Sequence, residues 1–386
     1  MLTPKRRSAK LSRLQFISLV TVVAVVMTLI GLAVIRRENP RREPSARETA
    51  IAPLPPNSAV PQAASPSSPV SQFRHKNVEL VYNIRKPPNL KKSQELQAIV
   101  DEVVALAAAT GLPKQPLSIT LLDAKTGEYA EYQEQKLRYP ASVAKMFWMV
   151  YLYAKIENGL LNEAEFTRYL DQMIKKSDNE AASYILDLIT DTVSGDKLED
   201  GEYKNWLKKR KQVNLFLQEA GYKNINISQK TFPIPYLKLY EPKGRDLEMR
   251  GDPKAPIRNK ITTQHAARLL YEIYEGQAVS PVSSQKMADL LTIDSAARVL
   301  NKEQQSPAQF NPVRGFLSQS LPTDVYFAAK AGWTSGSRQE AAYIATLDGK
   351  AAYILVIFAD DRAYAYDWKI FPQMSRLVFE RMTARR

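Results

Sequence analysis

Apolar and polar positions follow three rhythms along this chain of 386 residues. Phe16 to Ile35 is an uncharged, strongly apolar segment of twenty residues; as a helix its length is about 30 Å, enough to cross a bilayer core. Residues 38 to 72 lose that bulk and hold eight prolines among Ser and Ala, a composition that predicts an extended tether. From Phe73 onward apolar residues return at globular density. Leu96, Ile99, Val100, Val103 and Leu106 recur at helical spacing, which predicts a helix within 89–110, stopped by Gly111-Leu112-Pro113. Leu117 to Asp123 and Glu128 to Gln133 flank Ala124-Lys125-Thr126-Gly127, a hairpin signal. Residues 160 to about 300 read as helices and polar loops. Val325 to Lys330, Ala341 to Leu347 and Ala351 to Ala359 then read as strands, with a tight turn at Asp348-Gly349, and Asp367 to Met382 reads as a closing helix. Strands at both ends of a helical middle predict an α+β domain. Its antiparallel sheet is assembled from both ends and flanked by helices, beside an all-helical subdomain. The expected organisation is a basic segment 1–13, a transmembrane anchor 14–35, a linker 36–72 and a globular domain 73–386.

Tyr139 to Ala154 breaks the amphipathic pattern. Sixteen residues carry a single charge, Lys145, three places after Ser142. An apolar run of this length without Gly or with Pro only at its head predicts a helix buried on nearly all sides, beginning near Ser142 and stopping near Asn158-Gly159. Positions three apart share a helix face, so Lys145 lies one turn from the Ser142 hydroxyl. A lysine without water loses part of its preference for charge, and its neutral amine can take a proton from a serine. The N–H groups of a helix start point outward toward whatever that serine attacks. Spacing alone is met more often by a capping serine with a snorkelling lysine. Ser194 to Lys197 and Ser283 to Lys286 repeat the pattern; the first reads as a loop and the second as the cap of an ordinary helix.

Composition narrows the chemistry. With no cysteine, disulfides, thiolate metal sites and thiol nucleophiles are excluded. The two histidines are His75, at the edge of the tether, and His265, inside the helix-like Thr262 to Leu270, where it reads as a packed side chain. Hydrolytic chemistry is thereby left to serine–lysine or carboxylate pairs, with no metal and no cofactor expected. The net charge is +14, but half of it lies in the first 48 residues, and the remainder shows no basic stripe interleaved with aromatics. Lys208-Lys209-Arg210-Lys211 reads as a solvated helix face, and no nucleic-acid partner is expected. Five Lys/Arg precede the apolar run and five closely follow it, so charge leaves the orientation undecided. An uncleaved anchor with the amino terminus inside is chosen because the chemistry fits the extracytoplasmic, periplasmic side.

Two more segments join Ser142-x-x-Lys145 in chain order: Ser177-Asp178-Asn179 before a helical stretch, and Lys330-Ala331-Gly332-Trp333-Thr334-Ser335-Gly336 at a strand end. Ser-x-x-Lys, Ser-Asp-Asn and Lys-Thr-Gly form the signature set of class A β-lactamases and penicillin-binding proteins. The chain resembles that superfamily from about residue 90 to its end. The resemblance implies Ser142 as nucleophile, Lys145 as base and Ser177 as proton relay. It implies Asn179 orienting a substrate amide and Lys330 holding a substrate carboxylate. Gly332, Trp333 and Thr334 would line the substrate, with the N–H groups of Ser142 and Trp333 as oxyanion hole. Thr262-Thr263 resembles the junction that follows the family's omega loop.

Three departures qualify the match. Ala331 stands where the family has a threonine, so Thr334 or Ser335 would have to supply that hydroxyl. The spacings from Ser142 to Ser177 and from Ser177 to Lys330 differ from class A, which predicts a rebuilt helical region. The deacylating glutamate has no clean counterpart; counting back from Thr262 selects Glu248, with Glu241 next, and two exposed loop carboxylates are an equal reading. The expectation is a membrane-anchored, monomeric serine hydrolase that acylates Ser142 and hydrolyses a β-lactam or related amide. A DD-peptidase acting on peptidoglycan stem peptides and a non-catalytic peptidoglycan-binding domain are the alternatives.

Overall fold

The computed structural model describes residues 80, 82–83, 86–303 and 310–385. The predicted segments 1–13, 14–35 and 36–72, and His75, lie outside the described residues. No helix among the described residues is long and apolar enough to cross a membrane.

Six strands form one sheet: β1 (Lys91–Lys92), β2 (Leu117–Asp123), β3 (Glu128–Tyr132), β4 (Val325–Thr334), β5 (Ser337–Thr346) and β6 (Ala352–Ala359). Their order is β1-β3-β2-β6-β5-β4. The two ends of the domain meet where β2 pairs antiparallel with β6, from Leu117 opposite Ala359 to Asp123 opposite Tyr353. Every residue of β2 is buried, as a central strand covered on both faces requires. Among the described residues twelve α-helices accompany the sheet: α1 (Gln94–Ala109), α2 (Ala144–Glu157), α3 (Thr167–Ile174), α4 (Asn179–Thr190), α5 (Asp200–Arg210), α6 (Gln212–Glu219), α7 (Gly244–Glu248), α8 (Thr263–Tyr274), α9 (Pro281–Leu291), α10 (Ser295–Glu303), α11 (Arg362–Tyr366) and α12 (Ile370–Ala384).

Period-two alternation along the strands divides the core. Ile119, Leu121, Leu355 and Ile357 face α1 and α12, where they meet Leu96, Val103, Phe371 and Met374. Leu122, Ile354, Val356 and Phe358 face the helical side, with Phe147, Trp148, Ile185 and Leu269. On that side α2 is the axis. Every residue from Ala144 to Ala154 is buried, as the sixteen-residue apolar run predicts.

The α+β reading holds, with local differences. The sheet gains the two-residue β1, which pairs parallel with β3, so the sheet is antiparallel except at that edge. The first helix starts at Gln94 because the Ser93 hydroxyl accepts the Leu96 N–H at 3.5 Å. β4 continues past Lys330 to Thr334 because Ser335-Gly336 closes a two-residue hairpin into β5, with Thr334 opposite Ser337.

One buried polar knot ties the helical side together. Glu272 of α8 is fully buried and accepts from Tyr82 Oη at 2.7 Å, Tyr222 Oη at 2.6 Å and Arg268 Nε at 2.7 Å. Arg268 also donates to the Ala220 carbonyl at 2.6 Å. The segment before β1, the turn after α6 and α8 thus share one carboxylate. Removing one partner of such a group leaves the rest dry and unpaired. Glu272→Ala is expected to lower unfolding free energy by about 3 kcal/mol or more, measured by urea denaturation; a loss below about 1 kcal/mol would mean that the knot contributes little.

Candidate active site

The site begins at a turn that cannot be a plain helix start. Ala141 adopts φ +46°, an uncommon conformation for a residue with a Cβ. Ala141–Val143 form a single 3-10 turn before α2. Three groups hold its approach. Arg138 exchanges backbone hydrogen bonds with Ile261 at 2.8 and 3.0 Å. Gln339 of β5 donates to the Tyr139 carbonyl at 2.8 Å and to Asp360 at 2.7 Å, and Asp360 accepts the Tyr139 N–H at 3.3 Å. Gly332 of β4 meets the turn directly. A Cβ there would come within 2.9 Å of the Ser142 nitrogen and 3.0 Å of the Pro140 oxygen. Only glycine lets the strand lie this close.

Ser142 is half-buried, and its hydroxyl has no hydrogen-bond partner among the described residues. One turn on, Lys145 is fully buried. Its Nζ donates to the Ser177 carbonyl at 2.6 Å and to Asn179 Oδ1 at 2.8 Å, with Ser177 Oγ at 3.4 Å. Ser177 itself sits at φ +55°, a strained geometry that turns its carbonyl and hydroxyl toward the amine. Asp178 Oδ1 accepts the Ala181 N–H at 2.7 Å and caps α4. Within the tripeptide the middle residue therefore starts the helix, and its neighbours face the lysine.

Lys330 approaches from β4. It is almost fully buried, donates to Ser177 Oγ at 3.0 Å and to the Ala331 carbonyl at 3.1 Å, and has its Nζ 5.7 Å from the centre of the Phe310 ring. Two amines thus converge on one hydroxyl. Burial pushes Lys145 well below the usual lysine range and the nearby Lys330 pushes it further, against a smaller upward pull from Asp178. Burial also lowers Lys330 to about 7, opposed by Glu340. A neutral amine has two N–H donors and one lone pair. At Lys145 two carbonyl oxygens occupy the donors, so the lone pair is free to take a proton.

β4 is the outer strand of the sheet beyond its first residues. The Phe327 carbonyl accepts the Ile293 N–H at 3.0 Å across that edge, so strand alternation turns the N–H and C=O of Ala329, Ala331 and Trp333 the same way. The Trp333 N–H consequently faces the open edge beside Ser142. The Ala331 methyl lies in the core on the α1/α12 side. Thr334 Oγ1 is engaged in the hairpin, with Ser337 Oγ at 2.8 Å and the Gly336 N–H at 3.1 Å.

Ser142, Lys145, Ser177, Asn179, Lys330, Gly332 and Trp333 are therefore brought together. Glu248 is not. It ends α7 and lines a cavity of about 420 Å³ with Tyr203, Lys211, Asn214 and Met249, which none of those seven residues lines. Glu241 is exposed. Asp178, whose charge pulls Lys145 upward, caps α4 through Oδ1. A spacing count along a loop fails here because the loop between α6 and α8 is rebuilt around a helix of its own, α7. His265 forms a capping box with Thr262, and burial pushes it to about 4, so it stays neutral as a packed side chain. Ser194 accepts from Lys230 at 2.6 Å. Ser280 rather than Ser283 caps α9. Gln339 and Asp360 had no sequence signal, because each acts on a turn some 200 residues away in the chain.

A serine at the head of a buried helix, faced by two desolvated lysines and a second serine, belongs to the active-site serine hydrolases. The sequence model described as "Beta-lactamase enzyme family" matches residues 94–382, and the chain belongs to that family. Among similar solved structures is a mutant class A beta-lactamase of the last common ancestor of Gram-negative bacteria. It is 19% identical over 75% of this chain and 100% of that chain, with a TM-score of 0.50. A mutant of PBP-A, in an acyl-enzyme complex with penicillin G, is 16% identical over 76% and 98%, also with a TM-score of 0.50. At these identities the likeness shows the fold. No curated protein matches the chain.

Lys330 can hold an anionic group only while protonated, and kcat/KM reports the free enzyme. For an ester probe carrying a carboxylate, kcat/KM is expected to fall as pH rises through about 7. A neutral ester should show that limb more weakly, and Lys330→Arg should move it to higher pH. Equal pH profiles for the two probes would remove Lys330 from anion binding.

Proposed function

We propose that the protein acylates Ser142 with a carboxylate-bearing amide, either a β-lactam or a peptidoglycan stem peptide, and releases the acyl group slowly. The observation that carries this reading is the convergence of Lys145 and Lys330 on Ser177 beside Ser142. The Ser142 Oγ attacks the amide carbon while its proton passes to the Lys145 lone pair. The resulting oxyanion accepts from the N–H groups of Ser142 and Trp333. As the C–N bond breaks, the proton moves from Lys145 through Ser177 Oγ to the leaving nitrogen. Lys330 polarises Ser177 and holds the substrate carboxylate, and Asn179 orients the substrate amide when Lys145 releases it.

Acylation needs only these groups. Deacylation needs a base to activate water, and no carboxylate is hydrogen-bonded to Lys145, Ser177 or Lys330 among the described residues. This favours a long-lived acyl-enzyme of the peptidase type over rapid β-lactam turnover. The apolar run 14–35 and the linker 36–72 support a tethered domain on the extracytoplasmic side of a membrane, where peptidoglycan lies. The domain is taken to work as a monomer.

Intact-protein mass after penicillin G is expected to show one adduct that lasts for hours, and Ser142→Ala should abolish it. Glu248→Ala should leave the adduct's lifetime unchanged. Rapid loss of the adduct together with steady cephalosporin hydrolysis would make the protein a turnover β-lactamase. A longer-lived adduct in Glu248→Ala would return that glutamate to the mechanism.

A further inference from the structure

Beside the open edge of β4 three large aromatic rings keep a third to a half of their surface exposed. Trp333 is 37% exposed, Tyr366 49% and Trp368 42%. They form one shelf: the Trp333 and Trp368 rings stack at 6.4 Å with 29° between planes, and Tyr366 meets Trp333 edge-on at 6.3 Å. Rings of this size stabilise a fold most when buried, and an exposed aromatic patch marks an interaction surface.

The shelf is held rigid. Trp333 Nε1 donates to the Ala365 carbonyl at 2.8 Å. The buried Arg338 guanidinium lies 4.3 Å from the centre of the Trp368 ring, fixed by the carbonyls of Gly315, Tyr364 and Ala365. Gly315 leaves room for Trp368, since a Cβ there would come within 2.4 Å of that ring. Two further cations lie over the rings, Arg314 at 5.8 Å from the centre of Trp368 and Arg362 at 5.3 Å from the centre of Tyr366. A purely apolar partner would leave these guanidinium donors without acceptors. A pyranose ring fits the shelf well, with a face of C–H groups for an aromatic plane and hydroxyl and acetamido oxygens at its edge for arginines.

Trp333 also connects the shelf to the reaction. Its N–H belongs to the edge beside Ser142, while its indole belongs to the shelf. A ligand that reaches from one to the other carries its scissile amide and its sugar on the same molecule.

We propose that Trp333, Tyr366 and Trp368 form a carbohydrate subsite that takes an N-acetylhexosamine of the glycan to which a stem peptide is attached. The natural substrate is then glycan-linked peptide rather than free peptide. This inference rests on the acylation reading and names its substrate. Binding to the shelf is remote from the reacting atoms and adds to substrate affinity.

The test compares a synthetic disaccharide–pentapeptide with the same pentapeptide lacking sugar, binding to full-length Ser142→Ala by calorimetry. The disaccharide is expected to tighten binding about tenfold. Adding Trp368→Ala or Tyr366→Ala should erase that gain while leaving affinity for the free peptide unchanged, and Trp368→Phe should keep part of it. In the Ser142 background the same shelf variants should form the penicillin adduct at the parental rate, which also reports that they fold. No gain from the disaccharide, or a gain that survives both alanine variants, overturns the subsite. Absence of any penicillin adduct in the parent protein would overturn the acylation reading instead, and the two failures are read separately.

Discussion

Two ammonium groups with no water around them are a poor arrangement for a folded protein, and this active site is built on that conflict. Lys145 and Lys330 come from a helix and a strand that meet only at the cleft, and both point at one serine hydroxyl. Burial and mutual repulsion favour the neutral form of at least one of them. The fold answers with fixed oxygens: the Ser177 carbonyl and Asn179 Oδ1 on Lys145, and the Ala331 carbonyl on Lys330. Neutral Lys145 is then satisfied as a donor and still open as a base, as an acyl-transfer site working without histidine requires.

Everything else in the domain places these groups. α2 is buried along its first eleven residues, so its start cannot shift without disturbing the helical core. The β2–β6 pairing joins the two ends of the domain and puts β5 and β4 beside the Ser142 turn. Gln339 and Asp360 then pin Tyr139, and Gly332 lets β4 touch the turn. The uncommon backbone angles at Ala141 and Ser177 fall on the two segments that aim hydroxyls into the site, where strain of this kind is usually found.

Much of this was legible beforehand for physical reasons. The α2 rod, the β2 strand and the last three strands announce themselves through period and composition, because their side chains face a core on one or both sides. The Ser-x-x-Lys, Ser-Asp-Asn and Lys-Ala-Gly segments were found because each keeps its own short-range geometry: a helix start, a helix cap and the last half of a strand. Glu248 was misplaced because a position inside a long loop has no such local constraint. The chain between α6 and α8 folds around its own helix, and counting residues back from Thr262 does not follow it.

The sequence by itself determined which elements form and which residues have the chemistry, since periodicity, capping and burial preference act over a few residues. It also settled the absence of thiols and the shortage of histidines. Only the tertiary structure decided that Ser142, Ser177 and Lys330 share one cleft, that Trp333 turns its N–H to the nucleophile and its ring to an aromatic shelf, and that Glu248 stands elsewhere. Those facts depend on strand order and on contacts between residues one to two hundred positions apart, and no local pattern encodes them.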